Sequence, residues 1–383
     1  MKAVIYSNAP WSPTGYGQQT AQLCKSLREL GHTAAVVANY GQDGAVCNWE
    51  GIRVYPRGAQ MPWGEDILPY VCAVEQPDVL LTLVNEWQLN PYLWAALRDA
   101  NKGMKLVSWT PIERVRVPTD TQKWFEITGA APLPMSQFGY EQLWQIGANP
   151  LPVLPHTVEL DVFRPGPGDR ESIDCDADFL ALHVGMNKGR EFIRKGQPSM
   201  FLAWRAFLDA YEGTAKLLIH GKEKDIHGAN LAVLAEACGL TSDDVMYTPE
   251  AGQYFPPSNE AVANYYRCAD VTLQPSMGEG FGLPALESQA CGTPVIVSDF
   301  TSQSELCFGG WAVGGTRFWD AAQEGWLLVA DHAQITKSLL EMAGKGRKQR
   351  NKLSSKAVAG ATPYGRTLVR DTILKPLLET LSA

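Results

Sequence analysis

Short apolar runs alternate with amphipathic stretches along almost the whole chain, and this alternation narrows the choice of fold more than any other feature. Val4 to Ser7 and Ala34 to Ala38 read as strands, and between them Gln18 to Leu30 carries Ala21, Leu23, Cys24, Leu27 and Leu30 at helical spacing before Gly31 stops it. Strands are also expected at Val79 to Leu83, Lys105 to Trp109, Pro132 to Met135 and Pro152 to Pro155, with helices at Pro91 to Asp99 and Phe138 to Gln145. Such β-α-β units build a mostly parallel sheet covered by helices on both faces.

At Phe163 to Gly168 the pattern breaks into turn residues, and the acidic stretch Asp174 to Asp178 follows, reading as an interdomain linker. A second series then begins. Its strands are expected at Leu180 to Val184, Ala215 to His220, Val245 to Thr248, Val271 to Gln274, Val295 to Ser298 and Trp326 to Val329. Its helices lie near Met200 to Tyr211, Gly228 to Ala237, Glu260 to Cys268 and Pro284 to Ala290. A chain of 383 residues exceeds one comfortable core. The expectation is therefore an α/β protein of two Rossmann-like domains, residues 1–163 and 164–362, facing each other across a cleft at the C-terminal sheet edges, where open α/β sheets bind ligands.

A net charge of -8 offers nucleic acid or an anionic membrane no global attraction. The eight cysteines are scattered with no C-x-x-C pair and no zinc-type spacing, so they read as reduced thiols. The first residues enter a strand pattern at once, and no apolar run approaches the ~18 residues of a membrane span, so a cytoplasmic setting without a transmembrane segment is expected.

The most informative stretch runs from Ser276 to Ile296 and contains Gly278-Glu279-Gly280-Phe281-Gly282-Leu283-Pro284 and, later, Ala290-Cys291-Gly292-Thr293-Pro294. A strand leads into a glycine-rich loop and then into a helix with Pro284 in its first turn, where a missing N–H is harmless. Such a loop lets backbone N–H groups approach an anion, and the helix start adds partial positive charge. Glu279 and Glu287 bracket this phosphate cradle; as acceptors they suit sugar hydroxyls rather than phosphate. Phosphate flanked by hydroxyls suggests a nucleotide sugar.

These two glutamates inside that string resemble the signature of glycosyltransferase family 4, the retaining group 1 enzymes of the GT-B fold. Other stretches agree in order. Pro13-Thr14-Gly15-Tyr16-Gly17 resembles the family's N-terminal glycine loop; Ser136 to Gly139 and Pro155 to Pro165 resemble the close of the first domain. Val184-Gly185, followed by Arg190, Arg194, Lys195 and Gly196, looks like the basic segment that holds the diphosphate. The resemblance implies transfer of a hexose from a nucleoside diphosphate donor, UDP- or GDP-linked, to an acceptor hydroxyl, without cofactor or metal. Lys195, Arg190 and Glu279 would be catalytic. Glu287 would hold the ribose, and Gly280, Phe281, Gly282, Leu283, Gly15 and Gly17 would contact the donor, while Tyr16, Trp109 and Glu113 would lie on the acceptor side. It also implies that a C-terminal helix, 363–383, crosses back to the first domain. The basic segment is longer than is usual, which makes Lys195 a firmer candidate than Arg190 for the diphosphate, with Arg194 and Asn187 as rivals. Trp109 to Glu113 stands where the family often has a histidine.

Other features read more plainly. Asp174-Cys175-Asp176 and Asp176-Ala177-Asp178 match the D-x-D metal pattern but fall in the expected linker. His183, His220 and His227 read as structural. The basic run Lys345 to Lys356 reads as a solvated helix end, with weak contact to an anionic surface as the alternative. Trp11, Trp87 and Trp109 fall near expected strand ends of the first domain, where an aromatic face could stack on an acceptor, although most of the twelve tryptophans read as core. Besides transfer, a noncatalytic nucleotide-sugar-binding protein, an epimerase and a phage-type DNA-base glycosyltransferase remain open, the acidic balance counting against DNA. The acceptor is not legible.

Overall fold

The computed structural model describes residues 1–189, 193–248 and 257–382. The chain divides into two compact units: residues 1–157, 320–325 and 366–383 form the first, and residues 158–319 and 326–365 the second.

The first unit is built on a seven-stranded sheet in the order β3-β4-β2-β1-β5-β6-β7. Its strands are β1 (Lys2–Asn8), β2 (Thr33–Tyr40), β3 (Cys47–Trp49), β4 (Ile52–Tyr55), β5 (Val79–Thr82), β6 (Lys105–Thr110) and β7 (Ala131–Pro134). All pairings are parallel except that of β3 with β4. The apolar runs that mark these strands are interior: Val4, Tyr6, Val37, Leu80 and Trp94 share one core. Trp94 is wholly buried, and its Nε1 donates to Glu65 Oε2 at 2.6 Å, which gives the indole the polar partner a buried Trp needs. Pro152 to Pro155 is not a strand. Leu151 N and Leu154 N donate to Pro132 O and Pro134 O of β7, at 2.9 and 3.0 Å, but Pro152 and Pro155 have no N–H with which to continue a ladder.

Two later segments complete this unit. Helical residues 366–382 tuck Leu374, Leu377, Leu378 and Leu381 beside Ala3, Ile5 and Leu27, while Arg366 and Arg370 pair with Glu29 of the helix Gly15–Glu29. At Asp320 the carboxylate accepts two bonds from Arg114, at 3.0 and 2.8 Å, and both side chains are buried.

The second unit holds a six-stranded, wholly parallel sheet in the order β10-β9-β8-β11-β12-β13. The strands are β8 (Phe179–Val184), β9 (Ala215–His220), β10 (Val245–Tyr247), β11 (Val271–Gln274), β12 (Val295–Ser298) and β13 (Gly310–Val313). Phe179, Phe201, Trp204, Leu217, Leu273 and Ile296 fill its core. Trp326 to Val329 falls not in this sheet but in β15 (Gly325–Ala330), which forms a separate two-stranded sheet with β14 (Gly315–Asp320). The acidic stretch Asp174 to Asp178 is no linker, because the second unit fastens it at both ends. Arg170 donates to Cys268 O, Ala177 O and Asp270, at 2.7 to 3.0 Å, and Asp178 Oδ2 accepts from Thr214 N and Oγ1.

No helix among the described residues is long and apolar enough to cross a membrane.

Candidate functional site

The glycine-rich loop lies in the second unit, where β11 delivers the chain into residues 275–282 and the helix Leu283–Ala290 starts behind Gly282. Gly282 has φ +110° and ψ 54°, a conformation that residues with a Cβ rarely adopt, and Pro284 occupies the first turn. The helix is locked from below. Ser288 Oγ reaches Thr272 Oγ1 and Thr293 O, at 2.8 and 3.0 Å, and Gln289 Oε1 accepts from the N–H groups of Phe308 and Gly309.

The basic segment is fastened to this loop by backbone. Met277 N donates to Arg194 O at 2.8 Å. Gly196, at φ +75°, lies so close that a Cβ there would sit 2.0 Å from Pro275 O. Arg194 and Lys195 thereby arrive at the loop: Arg194 NH1 donates to Gly278 O at 2.8 Å and stands 3.5 Å from Glu279 Oε2, and Lys195 Nζ pairs with Glu279 Oε1. Burial alone would raise the Glu279 pKa, but the charges of Lys195 and Arg194 outweigh it and hold the carboxyl at about 2.

A third segment, unmarked in the sequence, braces the loop from the far side. Thr301 holds φ +54°, strained for a β-branched residue; its Oγ1 accepts from Glu279 N at 3.0 Å and donates to Phe300 O at 2.8 Å. Ser302 Oγ lies 2.7 Å from the carbonyl oxygens of both Glu279 and Phe281. Glu287, one turn into the helix, is buried with Tyr266, whose hydroxyl donates to Oε2 at 2.9 Å; burial lifts its pKa to about 7 against the pull of that bond.

The structure thus brings Lys195, Arg194, Glu279 and the Gly280 to Leu283 backbone together. Arg190 lies outside the described residues. Asn187 is committed elsewhere, its Nδ2 donating to Ala229 O at 2.6 Å and its Oδ1 accepting from Ala229 N at 2.9 Å. Phe281 is buried edge-on to Tyr364, which places its ring in the interior. His183 is buried and neutral, its pKa pushed down to about 4 by burial, with Nδ1 on Leu273 O and Nε2 beside Gln197.

In the first unit Gly15, Tyr16 and Gly17 form not a loop but the first turn of the helix Gly15–Glu29, capped by Thr14 Oγ1 on Gly17 N at 3.0 Å. Gly17 is required by packing, since a Cβ would meet Ser12 O at 2.4 Å. Trp109 is interior rather than a stacking face: it is 3% exposed, and its Nε1 donates to Leu154 O at 2.8 Å. Glu113 stands beside the buried Arg114, at 3.7 Å. In the basic run Lys345 is engaged with Glu341 and Arg350 with Asp270, which leaves Arg347, Lys348, Lys352 and Lys356 exposed. Among the described residues no three His, Cys, Asp or Glu side chains converge as a metal site.

The chain is similar to known proteins over part or all of its length. Residues 182–345 match the family model described as glycosyl transferases group 1. A D-inositol 3-phosphate glycosyltransferase of Acidothermus cellulolyticus is 35% identical over 160 residues, 40% of this chain and 34% of that protein. Its counterpart in Streptosporangium roseum is 30% identical over 261 residues, covering 65% of this chain and 50% of that protein. The chain therefore spans half or less of the length of these curated relatives. Among solved structures, sucrose-phosphate synthase from Thermosynechococcus elongatus superposes with a TM-score of 0.78 at 16% identity, over 100% of this chain and 99% of that one. Anabaena HepE in complex with UDP-glucose gives 0.71 at 15% identity, over 100% and 99%. The fold is the two-unit α/β GT-B fold.

Proposed function

We propose that this chain is a retaining glycosyltransferase that moves a hexose from a nucleoside diphosphate sugar to an acceptor hydroxyl. The observation that carries the reading is the fastening of Arg194 and Lys195 onto the glycine-rich loop at Glu279, two cations beside a helix start. A leaving diphosphate gathers negative charge as the bond to the anomeric carbon breaks, and fixed cations and a helix N-terminus are the groups that stabilise it. Each such donor contributes ~3 kcal/mol to the transition state. The UDP-glucose complex of HepE, a protein of the same fold, supports a UDP-linked donor, with GDP-linked sugars as the alternative.

In the proposed step the acceptor oxygen attacks the anomeric carbon on the face from which the diphosphate departs. The carbon–oxygen bond to the donor phosphate breaks, and a phosphate oxygen takes the acceptor proton. Lys195 and Arg194, with Arg190 as a further candidate, balance the leaving charge; Glu279 meets the sugar once the diphosphate has drawn the cations to itself, and Glu287 accepts from the ribose hydroxyls. No side chain acts as nucleophile, and no metal is needed.

The test is calorimetric titration of UDP and GDP into the wild type, Glu287→Ala and Lys195→Ala. One nucleotide should bind the wild type, and both variants should weaken it at least tenfold. Equal affinity in all three would remove these residues from the site.

A further inference from the structure

We propose that Tyr266 is a positioning residue for nucleotide recognition: its hydroxyl fixes one oxygen of Glu287, so that the other is presented to the vicinal diol of a ribose. The inference rests on the donor reading above. Tyr266 is wholly buried in the helix Asn259–Cys268. Its carbonyl accepts from Thr293 Oγ1 at 2.6 Å, and its ring meets Phe163 edge-on at 6.2 Å, so the phenol is held at both ends. The bond it donates to Oε2 is the one hydrogen bond that the described residues give the Glu287 carboxylate. Glu65, equally buried, has both oxygens occupied, by Asn90 N and Trp94 Nε1. Glu279 has two cations. Among the described residues Glu287 has a single neutral donor, where the two oxygens of a carboxylate can accept about four.

The neighbours explain why the phenol matters. Burial is the main influence on Glu287 and favours the neutral acid, and the Tyr266 bond is what opposes it. Cys291 stands at the end of the same helix, where burial and the charge of Glu287 keep its thiol neutral, and Arg267 and Glu260 act on it with opposite signs. A carboxylate can accept from both ribose hydroxyls; a neutral acid cannot do so fully. Nucleotide affinity should therefore rise as the pH rises through about 7. Removing the phenol hydroxyl should move that rise upward by about one pH unit, the effect of one hydrogen bond to a charged group.

The experiment is calorimetric titration of UDP and of GDP into wild type, Tyr266→Phe and Glu287→Gln from pH 5.5 to 8.5, with melting temperatures as a folding control. Glu287→Gln supplies the pH dependence of the nucleotide itself. Tyr266→Phe should bind about fivefold more weakly than wild type at pH 7 and come within about twofold by pH 8.5. A Tyr266→Phe profile matching the wild type, or one weakened equally at every pH, overturns the positioning role while leaving the donor site standing. If neither nucleotide binds wild type at any pH, the donor reading falls, and this inference with it.

Discussion

Replacing Glu279 by Gln removes the carboxylate that two cations share and leaves the side-chain volume unchanged. The ordinary carboxyl pKa of 4.5 falls to about 2 in the folded chain. A depressed carboxyl pKa contributes stability that is present above the unfolded value and lost as the pH falls toward the folded one. The contribution is therefore full at pH 7 and disappears between about pH 4.5 and 2. A gap of this size corresponds to about 3 kcal/mol. For a unit of roughly 200 residues, that lowers the melting temperature by ~6–12 °C. The assay is a thermal melt of Glu279→Gln against wild type at pH 7, with and without UDP or GDP. Since Lys195 and Arg194 lose their carboxylate in the variant, a diphosphate should stabilise it at least as much as it stabilises wild type, and saturation at 100 times the dissociation constant adds ~2.7 kcal/mol. A variant melting within about 2 °C of wild type, or one that the nucleotide rescues less, refutes the reasoning.

Three further outcomes follow from the same geometry. Lys195→Ala should keep its fold and lose ~10²–10³ in single-turnover transfer or donor hydrolysis; retention of more than a tenth of the rate would move the charge to Arg194 or Arg190. Gly196→Ala should be destabilised by more than ~2 kcal/mol in denaturant melts, because its backbone is at positive φ and the new Cβ would lie 2.0 Å from Pro275 O; an unchanged midpoint would show that the segment is not clamped to the loop. Activity should survive EDTA, since the leaving charge is met by side chains and a helix start; loss on chelation, restored by Mg or Mn, would contradict this.

Much of the architecture was legible because strand runs in a parallel sheet are apolar on both faces, and β9, β11 and β12 fall where their apolar residues put them. The glycine loop was legible for a local reason: Gly282 and Pro284 announce a left-handed residue and a helix start within three positions. What escaped depends on partners distant in sequence. Tyr266 reads as one aromatic among several in a helix, and Thr301 and Ser302 as loop residues, until folding brings them to Glu287 and Glu279. Asp320 looks like a turn residue, yet it is buried against Arg114, 206 positions away in sequence. Trp109 misled because a strand-end tryptophan suggests a stacking face, whereas its indole N–H is spent on Leu154 O. Lys195 and Glu279 were each legible as polar site residues, but their pairing is created by the backbone bond from Met277 to Arg194.

Retaining transfer is tested by following slow cleavage of a nucleoside diphosphate sugar by NMR in the absence of acceptor, with UDP-glucose first and GDP-linked sugars in parallel. An α-linked donor should release the α sugar ahead of mutarotation, in EDTA, and Lys195→Ala and Glu279→Gln should abolish the release while UDP or GDP still stabilises the Glu279→Gln protein. Release of the β sugar first, or an unchanged rate in both variants, would contradict it.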